Sequence, residues 1–295
     1  MSEDDFDFTK PQADKASAPF KAASSRFYNS GEAEQLFRAS GKEERFLAGQ
    51  PIFVEAEKAG GIFKAPSRMY YLADGSIQLT MGPRPLDVVG KGEIFGEMAV
   101  ISGRPRSATA TAKADCLTFS MDAYELQVAL GRAPEFALML ASVMYDRLRF
   151  LATKLAGKTM ARGAAAREAP VFDAALMAQL EAALPASAVV RHRQESLLFK
   201  EGQAGTFMYL VKTGRVAIAV GANIVEMVGP GGTFGEMAII DQAPRTARAG
   251  TVEETELIAI DRAGLIAIIR KQPEFAMAML RGIAERLRHM NALLQ

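Results

Sequence analysis

Two short segments of the sequence combine residue types that could hold a sugar phosphate. FGEMA at 95–99 is followed by PRSA at 105–108, and FGEMA at 234–238 is followed by PRTA at 244–247. Glycine lets the backbone approach a ligand closely, and a helical turn that begins there presents N–H groups that favour an anion. Arginine can meet a phosphate with a planar fork of charge-assisted hydrogen bonds, which lysine cannot. Each segment therefore predicts an anion site.

The glutamates Glu97 and Glu236 complete the chemistry of these segments. An ionised carboxylate only accepts hydrogen bonds, so beside a phosphate it should face a donor such as a ribose hydroxyl. A tight turn with a capping glutamate is the alternative for a single copy, but the recurrence of the arginine at the same spacing argues against it. The composition indicates a sugar-phosphate ligand, twice.

The recurrence extends well beyond the two segments. IFGEMAVISGRPRSATA begins at Ile94 and TFGEMAIIDQAPRTARA begins 139 residues later at Thr233, and the same offset carries APEFALML at Ala133 to QPEFAMAM at Gln272. One register shared by both blocks indicates a duplicated domain. The offset is too long for solenoid or propeller repeats, so each copy should bury its own core.

Each copy is predicted to be β-rich first and helical afterwards. Short β-prone runs such as MYYL, SIQLTM, MYLV and VAIAV are separated by glycine turns. Asp122 and Asp261 are predicted helix N-caps, and the segments 133–155 and 272–294 have proline near the start and apolar residues at helical spacing. We interpret the arginines, leucines and methionines of the last helix as an amphipathic face without chemistry.

The predicted organisation of the chain has four parts. They are a disordered tail at 1–25, a first domain at 26–160, a linker with its leading helix at 161–184 and a second domain at 185–295. The first copy is seven residues longer between Phe53 and Met69 than the second copy is at the matching place, and the extra residues fall in GGIFKAPSR. It also has Ala56 where the second copy has Gly202.

Both copies resemble the cyclic nucleotide-binding domain family, found in catabolite activator protein and in protein kinase A regulatory subunits. The resemblance covers roughly residues 40–155 and 185–295. It implies a mainly β fold with flanking helices, in which two tandem jelly-roll-like eight-stranded β-rolls each carry a C-terminal lid helix. The nucleotide-binding residues that it implies are Phe95, Gly96, Glu97, Met98, Ala99, Arg106, Ser107, Ala108, Phe234, Gly235, Glu236, Met237, Ala238, Arg245, Thr246 and Ala247.

The resemblance assigns a role to each charged residue of the motif. It implies that Glu97 and Glu236 bind the ribose 2′-hydroxyl and that Arg106 and Arg245 bind the exocyclic phosphate. The implied ligand is cAMP, one per domain. A threonine after the arginine often accompanies cGMP binding in this family, so Thr246 leaves cGMP open as an alternative ligand.

The implied function is that of a regulatory receptor and not of an enzyme. Nucleotide binding would move the lid and interdomain helices and so change the affinity for an unidentified protein effector. The alternative is a structural or interaction module in which one or both pockets are degenerate, and a homodimer through the helices is also open. No winged helix-turn-helix follows the last helix of this sequence, so we do not expect DNA binding.

Composition excludes several other classes of function. The net charge of +1 offers no general attraction to nucleic acid or to an anionic membrane, and no stretch reaches transmembrane length. The acidic N-terminus does not resemble a secretory signal and the single cysteine, Cys116, cannot form an internal disulfide, so a cytoplasmic location is expected. His192 and His289 are too few for a cupin-type metal site, and no metal is expected.

Overall fold

The computed structural model describes residues 25, 27–57, 66–156, 172–221 and 223–294. Residues 1–24 of the predicted tail, most of the GGIFKAPSR segment and the predicted boundary near residue 160 lie outside the described residues. The predicted domain limits therefore stay predictions. In the parts of the chain that are described, no helix is both long enough and apolar enough to cross a membrane.

The described part of the first domain contains eight strands in two antiparallel four-stranded sheets. Short apolar runs between turn glycines form them, as predicted. The strands are β1 Lys42–Phe46, β2 Pro51–Phe53, β3 Met69–Asp74, β4 Ile77–Met81, β5 Arg84–Val89, β6 Ile94–Phe95, β7 Thr109–Ala112 and β8 Cys116–Met121. One sheet has the order β1-β8-β3-β6 and the other the order β2-β7-β4-β5.

The second domain repeats this topology strand for strand. Its strands are β9 Val189–His192, β10 Leu197–Phe199, β11 Phe207–Thr213, β12 Val216–Val220, β13 Asn223–Val228, β14 Thr233–Phe234, β15 Arg248–Thr251 and β16 Thr255–Asp261. The sheets have the orders β9-β16-β11-β14 and β10-β15-β12-β13, so each strand has the same neighbours as its counterpart in the first domain. The expected pair of eight-stranded β-rolls is confirmed.

Helices flank each β-roll at corresponding places. They are α1 Ser30–Ser40, α2 Glu97–Ser102, α3 Ala123–Arg132, α4 Pro134–Ala156, α5 Ala174–Ala183, α6 Glu236–Ile240, α7 Arg262–Lys271 and α8 Pro273–Leu294. Both predicted N-caps are confirmed: Asp122 forms a capping box with Glu125, and the side chain of Asp261 accepts from the Gly264 amide. The long helices α4 and α8 begin at proline, where a missing N–H costs nothing.

The helices α4 and α8 pack along each other and join the two domains. The largest cluster of buried apolar side chains draws on both helices, including Leu140 and Met144 of α4 and Leu280 and Leu287 of α8. Two smaller clusters lie one within each β-roll. The apolar faces of α4 and α8 therefore bury each other within a single chain.

Polar contacts between the domains follow the same 139-residue offset as the sequence. The Ser142 hydroxyl donates to Asp241 Oδ1 at 2.7 Å, and Arg149 is paired with the same carboxylate. In the opposite direction, Arg288 Nη2 donates to the Ser102 hydroxyl at 3.0 Å. Arg288 is the counterpart of Arg149, and Asp241 is the counterpart of Ser102. The interface is therefore approximately reciprocal, with each long helix contacting the other domain.

Ala56 adopts the left-handed conformation of its glycine counterpart. Its φ is 62°, and that of Gly202 is 77°. The Ala56 amide donates to the Arg106 carbonyl and the Gly202 amide to the Arg245 carbonyl, so the two turns are held in the same way. The replacement of glycine by alanine has kept the turn at the cost of backbone strain.

We expect Ala56→Gly to stabilise the first domain by about 0.5–1 kcal/mol. Left-handed backbone costs an L-residue about 1–2 kcal/mol, and glycine removes this cost. Glycine also gives the unfolded chain more conformational freedom, which reduces the gain in stability by about 0.4–1 kcal/mol. Urea unfolding measures the change. The matched control is Gly202→Ala, which should destabilise by a similar amount because a Cβ there meets no atom within 4 Å and only the conformation is strained. A loss of stability in Ala56→Gly would contradict this account.

Candidate functional site

Each FGEMA segment folds as a strand end, a left-handed glycine and a short helix. In the first domain β6 ends at Phe95, Gly96 has φ 74° and α2 begins at Glu97. The second domain repeats this geometry, with φ 76° at Gly235. The positive φ explains the glycine, because an L side chain there would be strained. The first N–H groups of a helix have no partner within it, and the residues of this first turn, 97–99 and 236–238, line the two clefts.

All sixteen predicted site residues line two clefts, eight in each domain. The cleft of the first domain also includes Phe53 and Arg147, and that of the second includes Phe199 and Arg286. The structure therefore brings together the two parts of each motif, 95–99 with 106–108 and 234–238 with 245–247. Corresponding elements carry the FGEMA residues in the two domains: β6 and α2 in the first, β14 and α6 in the second.

The arginine of each cleft is fixed by backbone carbonyls. Arg106 donates from Nη1 to the Gly96 carbonyl at 2.9 Å and from Nη2 to the Arg68 carbonyl at 2.8 Å. Its guanidinium also lies 4.0 Å from the centre of the Phe53 ring. Burial lowers the pKa of Arg106, but an arginine keeps its charge at neutral pH even so. The cation is thus held in one orientation before any ligand arrives.

Arg245 is fixed in the same way. It donates from Nη1 to the Gly235 carbonyl and from Nη2 to the Phe207 carbonyl, both at 2.6 Å, and it stacks on the ring of Phe199 at 4.1 Å. The residue is 94% buried, since only 6% of it is exposed. Within the described structure its buried Nε has no acceptor. An unpartnered donor on a buried cation is costly, and an anionic oxygen in the cleft would satisfy it.

The two glutamates are buried and each is met by an arginine from a long helix. Arg147 of α4 donates from Nη1 to Glu97 Oε1 at 2.7 Å. Arg286 of α8 is paired with Glu236, and Tyr145 of α4 donates its hydroxyl to the same Oε1 at 2.6 Å. Both carboxylates line the clefts and are therefore held in place beside the position that an anion would take.

The second of these pairs has strongly perturbed acid–base properties. Burial alone would raise the pKa of Glu236, but the charge of Arg286 and the hydrogen bond from Tyr145 lower it below its ordinary value. Burial would lower the pKa of Arg286, but Glu236 and Glu226 raise it overall. Burial and the neighbouring Glu236 raise the pKa of Tyr145. At neutral pH the group is an ion pair with a protonated tyrosine as an additional donor.

Sequence reasoning missed the contribution of the long helices. The interpretation that the arginines of the last helix only form an amphipathic face is wrong, because Arg286 pairs with Glu236. A signal was present: Arg147 and Arg286 stand at the same 139-residue offset as the motifs, each in an Arg-Leu-Arg triplet. Tyr145 has no such signal, since Ala284 is its counterpart.

The hydroxyls that follow the arginines lie at the mouths of the clefts. Ser107 and Thr246 are both exposed, and the Thr246 hydroxyl lies 3.8 Å from the Met237 sulfur. Across the described part of the chain, no group of three or more His, Cys, Asp or Glu residues is placed to hold a metal ion. Each cleft is lined by two arginines, by the motif glutamate together with further carboxylates (Asp87 and Glu93 in the first cleft, Glu226 in the second) and by one hydroxyl. A cation beside an acceptor-only carboxylate suits a small phosphorylated sugar.

Comparison with known proteins matches both domains to one family. The family model described as cyclic nucleotide-binding domain matches residues 43–132 and 189–272. Both motifs lie within these two regions, whereas Arg147 and Arg286, which the long helices contribute to the clefts, lie outside them.

Relatives with known functions align with one or both copies. A CRP-like cAMP-activated global transcriptional regulator of Mycobacterium tuberculosis is 36% identical over 99 residues, which are 32% of this chain and 44% of the relative. A cAMP-dependent protein kinase regulatory subunit of Eremothecium gossypii is 22% identical over 227 residues, which are 75% of this chain and 43% of the relative. This chain therefore spans less than half the length of either relative.

Solved structures show the same kind of likeness. The regulatory domain of Toxoplasma gondii PKA, crystallised with cAMP, aligns with 88% of this chain and 98% of its own at 18% identity. The TM-score is 0.30, which is too low to carry an inference about ligand or domain arrangement.

Proposed function

The chain belongs to the cyclic nucleotide-binding domain family, and from that premise we propose that each of its two domains binds one cyclic nucleotide, with cAMP preferred over cGMP. The observation that carries the proposal is the pair of buried, pre-oriented arginines, Arg106 and Arg245, each beside a buried glutamate in a cleft. In addition, the buried Nε of Arg245 has no acceptor in the described structure, and an anionic oxygen of the ligand would supply one.

Under this proposal each side chain of the motif has one role. Arg106 and Arg245 bind the exocyclic phosphate, with help from the N–H groups at the start of the short helix in each cassette. Glu97 and Glu236 accept from the ribose 2′-hydroxyl, and the charge of Arg286 holds the pKa of Glu236 below its ordinary value, so that this carboxylate stays ionised beside the phosphate. Preorganisation of this kind favours tight binding because little side-chain freedom is lost when the ligand enters.

The preference for cAMP rests on relatives and on the first cleft. Both curated relatives are described by their names as cAMP-dependent or cAMP-activated. Ser107 follows the arginine in the first domain, whereas Thr246 follows it in the second. Threonine at this place accompanies cGMP binding in the family, so the second domain should discriminate less against cGMP than the first.

The proposed output is a change in affinity for a protein effector. The helix α4 contacts the motif glutamate of both clefts, whereas α8 contributes Arg286 to the second cleft and packs on α2 of the first domain. The two helices also pack on each other, so a ligand with different affinities for two helix arrangements would shift their populations. Moving a population from 1:99 to 99:1 requires roughly 5.5 kcal/mol, which two sites can share. Hydrogen exchange in α4 and α8 that is unchanged by cAMP would contradict this mechanism. A homodimer through these helices also stays a prediction.

Calorimetric titration of the full chain with cAMP and cGMP tests the proposal. We expect two equivalents of cAMP to bind, with weaker binding of cGMP, and the melting temperature to rise with nucleotide concentration. Binding to the folded state alone should add about 2.7 kcal/mol of stability for each site at one hundred times its dissociation constant. Non-cyclic AMP is the matched control, because it has the same base and sugar with a different phosphate, and it should bind far more weakly.

The competing function is a structural or interaction module whose pockets no longer bind a ligand. It predicts neither heat nor a melting shift with any of these nucleotides. One equivalent of cAMP instead of two would mean that one domain has kept the fold and lost the ligand. The turn at Ala56 keeps the geometry of Gly202, which favours a working first domain.

A further inference from the structure

One stretch of α4 contacts the glutamates of both clefts. Arg147 donates to Glu97 of the first domain at 2.7 Å, and Tyr145 donates to Glu236 of the second domain at 2.6 Å. Residues two positions apart on an α-helix point about 200° apart, so the two side chains leave the helix on opposite sides. This part of α4 therefore lies between the two carboxylates that would bind ribose.

The contact from Tyr145 has no reciprocal counterpart in α8. Ala284 stands at the equivalent position, and alanine has no hydroxyl to donate. Among the described side chains of α8, the other interdomain contacts, such as that from Arg288 to the Ser102 hydroxyl, end on residues other than Glu97. The interdomain contact with a cleft glutamate therefore runs from α4, the long helix of the first domain, to Glu236 in the cleft of the second domain.

Tyr145 reaches Glu236 from behind the cleft. Tyr145 is 1% exposed and Glu236 is 3% exposed, so their hydrogen bond is shielded from water. Glu236 and Arg286 line the cleft of the second domain, but Tyr145 does not. Tyr145 and Arg286 both bind Oε1 of the carboxylate, and a carboxylate has about four acceptor positions on its two oxygens. The tyrosine therefore orients the carboxylate without taking the place of a ligand.

We propose that Tyr145 is a positioning residue that couples the two nucleotide sites. A ligand whose ribose hydroxyl donates to Glu97 draws on the carboxylate that Arg147 binds and so shifts the position of α4, and Tyr145 transmits that shift to Glu236. By thermodynamic reciprocity, filling the second site changes the affinity of the first by the same factor. This inference rests on the proposed function, since it concerns the regulation of the same two sites.

The test compares the cAMP affinity of the second site in two states of the first. Calorimetry gives the dissociation constant of the second site with the first site filled, and again with the first site disabled by Arg106→Ala. We expect these constants to differ by about 5-fold or more in the wild-type background, within the usual range of coupling. In the Tyr145→Phe background the ratio of these two dissociation constants should fall below about 2. Phenylalanine keeps the ring in the core, so the variant should fold.

Two matched variants separate coupling through Glu236 from a general loosening of the interface. Ser142→Ala removes another interdomain hydrogen bond of α4 that ends on Asp241, and Tyr124→Phe removes the hydroxyl of a tyrosine that is 75% exposed. Both should keep the wild-type ratio. A ratio near one in the wild type, an unchanged ratio in Tyr145→Phe, or an equal loss in Ser142→Ala would each overturn the inference. Absence of any nucleotide binding would instead overturn the proposed function itself.

Discussion

Replacing Arg245 with alanine is expected to abolish measurable cAMP binding at the second domain, while the first domain still binds one equivalent. The guanidinium is buried, is fixed by two backbone carbonyls and keeps an unpartnered Nε. Hydrogen bonds to a charged group contribute about 1.5–3 kcal/mol each, so loss of two of them should weaken binding at least about 100-fold. Calorimetry should show the stoichiometry of cAMP fall from two to one.

Variants of other arginines make this result specific. Arg248 lies three residues further on, and is exposed, so Arg248→Ala should retain two equivalents of cAMP. Arg106→Ala should remove the other site, and the double variant should bind none. Arg245→Lys keeps the charge and loses the planar fork, so its affinity should be intermediate. If Arg245→Ala still bound two equivalents, the arginine would not be the phosphate ligand.

The sequence predicted those features of the fold that depend on local chemistry. The helix N-caps at Asp122 and Asp261 follow from side-chain hydrogen bonding, and the short helices that begin directly after Gly96 and Gly235 were predicted from the FGEMA motifs. The cleft residues were also predictable, because each motif is contiguous or nearly so and the duplication repeats it in register. The resemblance to a family then supplied the topology.

The contacts of the long helices were not predictable in the same way. Which residue of α4 meets a carboxylate more than ninety residues away depends on how α4 and α8 pack, and an amphipathic pattern specifies only which face is buried. Repetition in register could have drawn attention to Arg147 and Arg286. Tyr145 breaks the repeat, so its role follows from the three-dimensional arrangement alone.

Replacing Arg286 with methionine is expected to destabilise the protein by about 3 kcal/mol at pH 7. Methionine keeps much of the length of the side chain but leaves Glu236 as a buried carboxylate without its cation, and removal of one partner of a buried ion pair typically costs about 3–5 kcal/mol. Glu226, which accepts from the same guanidinium at 3.2 Å, loses its partner as well. Urea unfolding measures the loss. The matched control is Arg147→Met, which should cost less than Arg286→Met because the side chains of Arg147 and Glu97 are 29% and 8% exposed, against 18% and 4% for Arg286 and Glu236.

The pH dependence of this loss identifies its cause. In the wild type burial opposes ionisation of Glu236, yet Arg286 and Tyr145 hold its pKa below the ordinary value of 4.5. Ionised Glu236 therefore stabilises the folded protein fully above pH 4.5. This stabilisation is lost as the pH falls through the lowered pKa. Without Arg286, burial dominates and raises the pKa of Glu236 above that of the unfolded chain. The ionised, unpaired Glu236 then lowers the unfolding free energy of the variant at pH 7, and this loss decreases at lower pH as Glu236 takes up a proton. The difference in unfolding free energy between wild type and Arg286→Met should therefore shrink from pH 7 to pH 5, whereas an equal difference at both pH values would show that lost packing, and not an unpaired carboxylate, is responsible.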